Sequence, residues 1–265
     1  MPAKGDPPDA GTRGQPAAFF DLDRTLMAGS SGIHFARAAF SSGLISHRRM
    51  AGDVLENLRF RLVGSTDEWA HEVSDRIARL IEGVPVRDLQ RLTPQVLAGV
   101  LPRLYPQMLQ RAWAHQDAGL PVYICTAAPQ EMADLLALVT GLDGGIGSRS
   151  EVVAGRYTGR PDGPFNYREG KAQRLRELAA REGLSLPDSF AYSDSESDLP
   201  MLRAVGHPIV VNPDPQLARV AREEGWQVLR FDPLGRRLKI GAGLLAAGAF
   251  GAAARLLTVS RTSAR

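Results

Sequence analysis

Two carboxylates stand two residues apart in Asp21-Leu22-Asp23-Arg24-Thr25, directly after the apolar run 17–20. Thr126 follows a second apolar run, 122–125, and Lys171 opens a helix-like pattern. A third run, 190–192, leads into Ser193-Asp194-Ser195-Glu196-Ser197-Asp198. In open α/β sheets ligands bind beyond the carboxyl ends of strands, so polar residues at those ends are the first candidates for a site. At about 5% usage per residue, Asp-x-Asp-x-Thr arises by chance about 0.03 times in a chain of this length. A turn with a helix cap would account for that string alone. It does not account for polar groups at the ends of other apolar runs.

The set suits attack on a phosphate ester. A carboxylate approaching phosphate at 4 Å meets a repulsion of about 4 kcal/mol at an effective dielectric near 20, so cations must offset it. Lys171 is one such cation. Mg²⁺ is the expected second, because it takes hard oxygens, commonly from one or two carboxylates with waters and substrate phosphate. Asp21 and Asp194 supply that number of carboxylates. Asp23 is placed to protonate the leaving oxygen and then to activate water against an acyl phosphate on Asp21.

The elements that must hold these groups follow from the hydrophobic pattern. Runs 17–20, 122–125, 190–192, 209–211 and 228–231 are short and rich in Val, Ile, Phe and Tyr, as in strands of a buried parallel sheet. Helical spacing appears in 170–181, through Leu175, Leu178 and Ala179, and again in 215–224. The alternation predicts a doubly wound α/β core. Between the first two strands the stretch 30–115 lacks a strand pattern and carries helix-like segments at 33–39, 48–62, 67–81 and 86–115. It is expected to be an inserted helical cap, with Trp69 and Trp113 packing inside it. Pro94, Pro102 and Pro106 must break its last segment. The predicted layout is a disordered tail at 1–16, a core from 17–29 and 116–235, the cap at 30–115, and a basic, apolar C-terminal segment at 236–265.

Composition sets the class. With 265 residues, 44% hydrophobic and 23% charged, the chain reads as an ordinary globular protein. A single cysteine, Cys125, excludes an internal disulfide, and no signal-peptide pattern opens the chain, so a cytoplasmic location is expected. Cys125 lies in an apolar strand and reads as a buried, inert thiol. The five histidines show no metal-ligand spacing, while Arg24 and Arg168 are candidates to meet phosphate. From Gly225 onward seven basic residues face one acid, giving +6 there and leaving −3 for the rest of a chain whose net charge is +3. No motif suggests nucleic acid. The uncharged stretch 240–254 is shorter than the roughly twenty residues needed to span a bilayer, and its glycines weaken it as a helix. Weak membrane-surface association through 236–265 is expected.

These motifs, in this order, resemble the haloacid dehalogenase superfamily, and within it the phosphoserine phosphatase-like subfamily with a helical cap; the resemblance covers 17–231. It implies a Rossmann-like fold and a Mg²⁺-dependent phosphatase. Asp21 would be the nucleophile and Asp23 the acid and base, with the Asp23 carbonyl also on the metal. Thr25 would support the loop, and Thr126 would hydrogen-bond the phosphoryl group. Lys171 matches the third motif. Asp194 would ligate metal, and Asp198 would position metal-bound water or Lys171. Two places depart from the phosphoserine enzymes. Where they carry a Glu for the substrate ammonium, this chain reads Met27-Ala28-Gly29-Ser30-Ser31, and Ser193, Ser195 and Ser197 interleave the fourth motif. The stretches 155–159 and 212–214 are similar to a less characterised bacterial branch. The implied substrate is a small-molecule or lipid-linked phosphate monoester, with free phosphoserine a poor one unless Asp53, Glu56, Asp67 or Glu68 supplies the missing charge. A phosphotransferase, or a binding protein with little turnover, would share the same residues.

Overall fold

The computed structural model describes residues 14–44, 75 and 78–231. The segments predicted as helices at 48–62 and 67–81 lie almost entirely outside the described residues, as does 236–265. The chain divides into a unit Met1–Val228, which holds every candidate site residue, and a second, Leu229–Arg265.

Six strands make up the main sheet: β1 (Ala18–Asp21), β2 (Val122–Pro129), β3 (Gly144–Ser148), β6 (Phe190–Ser193), β7 (His207–Val211) and β8 (Gln227–Leu229). Their order across it is β3-β2-β1-β6-β7-β8. The pairings β1 with β2, β1 with β6, β2 with β3 and β6 with β7 are parallel. β1 is central and wholly buried. Successive side chains alternate faces, so Phe19 joins Leu175, Leu178, Met201 and Leu217 in one core cluster. Phe20 stacks on Tyr192, with ring centroids 4.1 Å apart. Helices α6 (Glu169–Glu182), α7 (Leu199–Leu202) and α8 (Pro215–Glu223) contribute to the cluster around Phe19. This is the doubly wound α/β fold that the alternation predicts.

Between β1 and β2 the described residues hold α1 (Ser31–Ser41), α2 (Val86–Gln90), α3 (Thr93–Val100) and α4 (Pro106–Asp117). The prolines act as expected. Pro94 lies in the first turn of α3, Pro102 falls in a short 3-10 turn, and Pro106 opens α4. The predicted cap boundary at 115 needs moving, because α4 docks on the sheet. Its Met108 and Ala112 are buried, and the His115 ring lies 4.6 Å from that of Phe190. Trp113 donates to the Thr140 carbonyl on α5 (Gln130–Thr140) at 2.9 Å and is 41% exposed, so it lies at the surface against α5 rather than packed inside a cap. We therefore place the end of the inserted segment near Tyr105.

Other differences have local causes. The expected tail 1–16 is tied down at its end: Gln15 bridges Leu184, and its side chain donates to the Gly119 carbonyl at 2.7 Å. β3 escapes the strand pattern because it is largely glycine. A Cβ on Gly145 would stand 2.3 Å from the Ala133 carbonyl carbon, so those glycines let α5 lie close on the sheet. A hairpin of β4 (Ser150–Val153) and β5 (Arg156–Pro161) is also added. It meets the inserted segment through backbone bonds, from Val86 to the Gly155 carbonyl and from Tyr157 to that of Val84.

Candidate active site

The end of β1 carries Asp21, and its neighbour in register on β2 is Cys125, one residue before Thr126. Lys171, in the first turn of α6, is only 3% exposed. Its Nζ donates to Asp21 Oδ1 at 2.6 Å and to Asp198 Oδ2 at 2.8 Å. Ser193 Oγ, at the end of β6, donates to the same Asp198 oxygen at 2.6 Å. A buried cation is thus shared between two buried carboxylates, which satisfies charges that burial would otherwise make costly. Burial is the largest influence on Asp21 and pushes its carboxyl above the ordinary range; Lys171 pulls it back, while Asp198, Asp194 and Asp23 push it further up. Burial alone would lower Lys171, but Asp198 and then Asp21 outweigh it and hold the ammonium above its ordinary value.

Asp23 is held from the start of α1. Its Oδ1 accepts from the Ser31 N–H at 2.8 Å, and its Oδ2 from the Ser30 hydroxyl at 2.7 Å. The carboxylate thereby serves as the N-terminal cap of α1, whose own Ser30 side chain makes no such bond. Asp194 lies in the loop after β6, buried, with Arg24 Nε 2.9 Å from its Oδ2. Burial raises its carboxyl above the ordinary range and Arg24 opposes that. Asp214 clamps this loop. Its N–H donates to the Asp194 carbonyl at 2.9 Å, and its Oδ2 accepts from the Glu196 N–H at 2.8 Å. Its Oδ1 caps α8 through the Leu217 N–H. Arg168 Nη1 lies 3.4 Å from Glu196 Oε2.

Thr126 is buried, and its Oγ1 accepts from the Ala128 N–H at 3.2 Å. Its carbonyl accepts from Asn166 Nδ2 at 2.6 Å, and the same amide reaches the Ile146 carbonyl at 2.7 Å. Thr25 is fully buried, yet its hydroxyl has no hydrogen-bond partner among the described residues. The loop is closed instead by backbone bonds, from Leu26 to the Asp21 carbonyl at 3.2 Å and from Met27 to that of Leu22 at 3.0 Å. Cys125 is buried and its thiol pushed up to about 12 by burial, so it stays protonated at neutral pH. Lys171 thus joins Asp21 to Asp198, Asp23 and Asp194 stand on the loops after β1 and β6, and Thr126 lies within β2. Ser193, Asn166 and Asp214 are additions that sequence reasoning missed. For Asp214 a signal exists, since an Asp before Pro215 is a readable helix cap.

The donor chemistry suits magnesium. Asp194 stands close enough to Asp21 to raise its carboxyl, and one or two carboxylates, with waters and a substrate phosphate, are what Mg²⁺ uses. Among the described residues no three His, Cys, Asp or Glu side chains gather as a metal cluster.

The haloacid dehalogenase-like hydrolase family matches residues 18–203. A Mycobacterium tuberculosis protein named phosphoserine phosphatase SerB1 is 37% identical over 250 residues, covering 93% of this chain and 81% of that one. A Neisseria meningitidis histidinol-phosphatase is 35% identical over 219 residues, covering 81% and 98%. The crystal structure of a Bordetella pertussis protein of unknown function superposes with a TM-score of 0.70 at 31% identity, covering 82% of this chain and 98% of that one. The chain belongs to the haloacid dehalogenase-like hydrolases. It is a phosphatase of that family, a phosphomonoesterase in class.

Proposed function

We propose that this phosphatase hydrolyses a small phosphate monoester through a covalent aspartyl phosphate on Asp21, with Mg²⁺ as cofactor. The observation that carries the reading is the buried chain Ser193–Asp198–Lys171–Asp21, in which a cation held by Asp198 neutralises the Asp21 carboxylate at the end of the central strand. Asp21 attacks phosphorus as the ester oxygen departs. Asp23, on the α1 side, gives that oxygen a proton and then takes one from the water that cleaves the acyl phosphate. Lys171 and Thr126 hold the phosphoryl oxygens. Asp198 orients Lys171, and Thr25 packs beneath the loop. Asp21, Asp194 and the Asp23 carbonyl would hold Mg²⁺, which when bound supplies positive charge against the phosphate oxygens.

The described residues of 30–105 are assigned to the cap. The expectations of a lipid-linked substrate and of membrane-surface association rest on 236–265, outside the described residues. Among the described residues no helix is long and apolar enough to cross a membrane. The relatives' names point to phosphoserine and histidinol phosphate for those proteins, so a small, soluble ester is the class proposed here.

The test is Asp21→Asn, nearly the same shape but unable to attack. Hydrolysis should disappear with thermal stability retained, and beryllium fluoride should bind wild type but not the variant. Undiminished turnover in Asp21→Asn overturns the mechanism.

A further inference from the structure

Arg24 sits in the left-handed region, at φ 63°, a backbone state that costs a non-glycine residue about 1–2 kcal/mol. The turn around it is fixed by the backbone bonds of Leu26 and Met27 to Asp21 and Leu22. The fold thus holds a strained residue between the two carboxylates and the threonine of Asp-x-Asp-x-Thr, and its side chain is directed at one partner, Asp194 Oδ2 at 2.9 Å. The two ends of that pair differ sharply. The Asp194 side chain is 4% exposed, whereas that of Arg24 is 60% exposed. Lys171 is buried between two carboxylates and cannot leave. Arg24 can swing out without uncovering a buried cation, and the charge it would leave on buried Asp194 needs another cation in its place.

Resting on the assignment of Asp194 as a magnesium ligand, we propose that Arg24 is an exchangeable counter-ion. Its guanidinium competes with Mg²⁺ for Asp194 and, once displaced, binds the phosphate oxygens of the substrate. The exchange couples the two ligands. The metal alone must evict a cation, so it binds weakly by itself, and phosphate then gains a planar fork suited to its oxygens. Two cations left in place beside one carboxylate would repel each other. Handing Arg24 to the incoming dianion removes that repulsion.

The experiment uses the full chain. Mn²⁺ binding is followed by electron paramagnetic resonance and Mg²⁺ binding by calorimetry, both without any phosphate compound, and inorganic phosphate is then titrated at saturating Mg²⁺. Arg24→Gly suits the positive φ, so it removes charge without adding strain. It should bind metal at least about fivefold more tightly than wild type, and phosphate at least about fivefold more weakly. Arg24→Lys keeps the charge but not the fork; its metal affinity should stay near wild type while phosphate binding falls. Metal affinity in Arg24→Gly that is unchanged or weaker overturns the competition, and unchanged phosphate affinity overturns the hand-over. Asp194→Asn separates this proposal from the reading beneath it. If that variant loses metal affinity while Arg24→Gly matches wild type, only the exchange is wrong. If Asp194→Asn titrates like wild type, both fall.

Discussion

Asn166 shapes the site without belonging to the reacting set. Its buried amide donates to the carbonyls of Thr126 and Ile146, and its N–H to Ser148 Oγ at 3.1 Å, so one side chain ties the ends of β2 and β3 to the loop before α6. Asn166→Ala leaves two carbonyls without their donor, each worth about 1–3 kcal/mol when buried. Thr126 should then lose its fixed position. The expected result is a lower denaturation midpoint and a fall in kcat of about ten- to a hundredfold with KM less affected. Both quantities within twofold of wild type would reject a positioning role. The contrast with Asp21 shows what a sequence discloses at this scale. Asp21, Thr126 and Asp194 are visible because each follows a short, unbroken apolar run. Asn166 acts through the main chain of a residue 40 positions away and leaves no local pattern, while Ser193 stands directly after a run but acts through a carboxylate five positions on, so its place is readable and its role is not.

Helix α4 shows how an element can read as one layer and belong to another. Its spacing marks a helix, but what docks it on the sheet is a set of ring contacts from distant strands: His115 with Phe20 and Phe190, and His115 Nε2 with the Tyr192 hydroxyl at 2.8 Å. Burial first, and then Arg111, lowers the His115 pKa below its ordinary value. The neutral ring is therefore favoured in the fold. The stabilisation is present above the unfolded value, about 6.5, and is lost as pH falls below it and through the folded value, because the unfolded chain takes the proton first. Wild type should lose stability across that window more steeply than His115→Gln, which keeps a polar contact to Tyr192 but does not titrate there. Equal slopes in urea midpoints against pH would reject the assignment. Strands β1, β2, β6 and β7 were legible for the same reason as the site, their Val, Ile, Phe and Tyr content. β3 was not, because its glycines exist for the approach of α5, and the β4–β5 hairpin is held by Val84 and Val86, remote in sequence.

At the scale of the molecule, the charge around the opening bears on the substrate. Ser30, standing where the phosphoserine enzymes carry a Glu, is committed to Asp23, and the adjoining backbone N–H of Ser31 is as well. On the same side, the His34 pKa is lowered, by burial first and then by Arg103 and Arg37, which places two arginines and an imidazole in one electrostatic neighbourhood. An ammonium group brought there would meet the like charge of Arg103 and Arg37, and the Asp23 carboxylate beside them is already committed to Ser30 and Ser31. Leaving it desolvated and unpaired costs several kcal/mol, about 2–7 on most reference scales for a polar group. The acids that could reverse this, Asp53, Glu56, Asp67 and Glu68, lie outside the described residues. Free phosphoserine is thus expected to be a poor substrate beside a neutral phosphate monoester of similar size. The measurement is kcat/KM for those two and for a short-chain lipid phosphate, each with saturating Mg²⁺. The neutral ester should lead phosphoserine by at least tenfold, about 1.4 kcal/mol in transition-state binding. A lead for phosphoserine of that size would mean that an acid from the inserted segment reaches the ammonium, and single replacements of the four would identify it. A lead for the lipid phosphate over the small neutral ester would instead return the C-terminal segment 236–265, with its six basic residues, to the question of where the enzyme works.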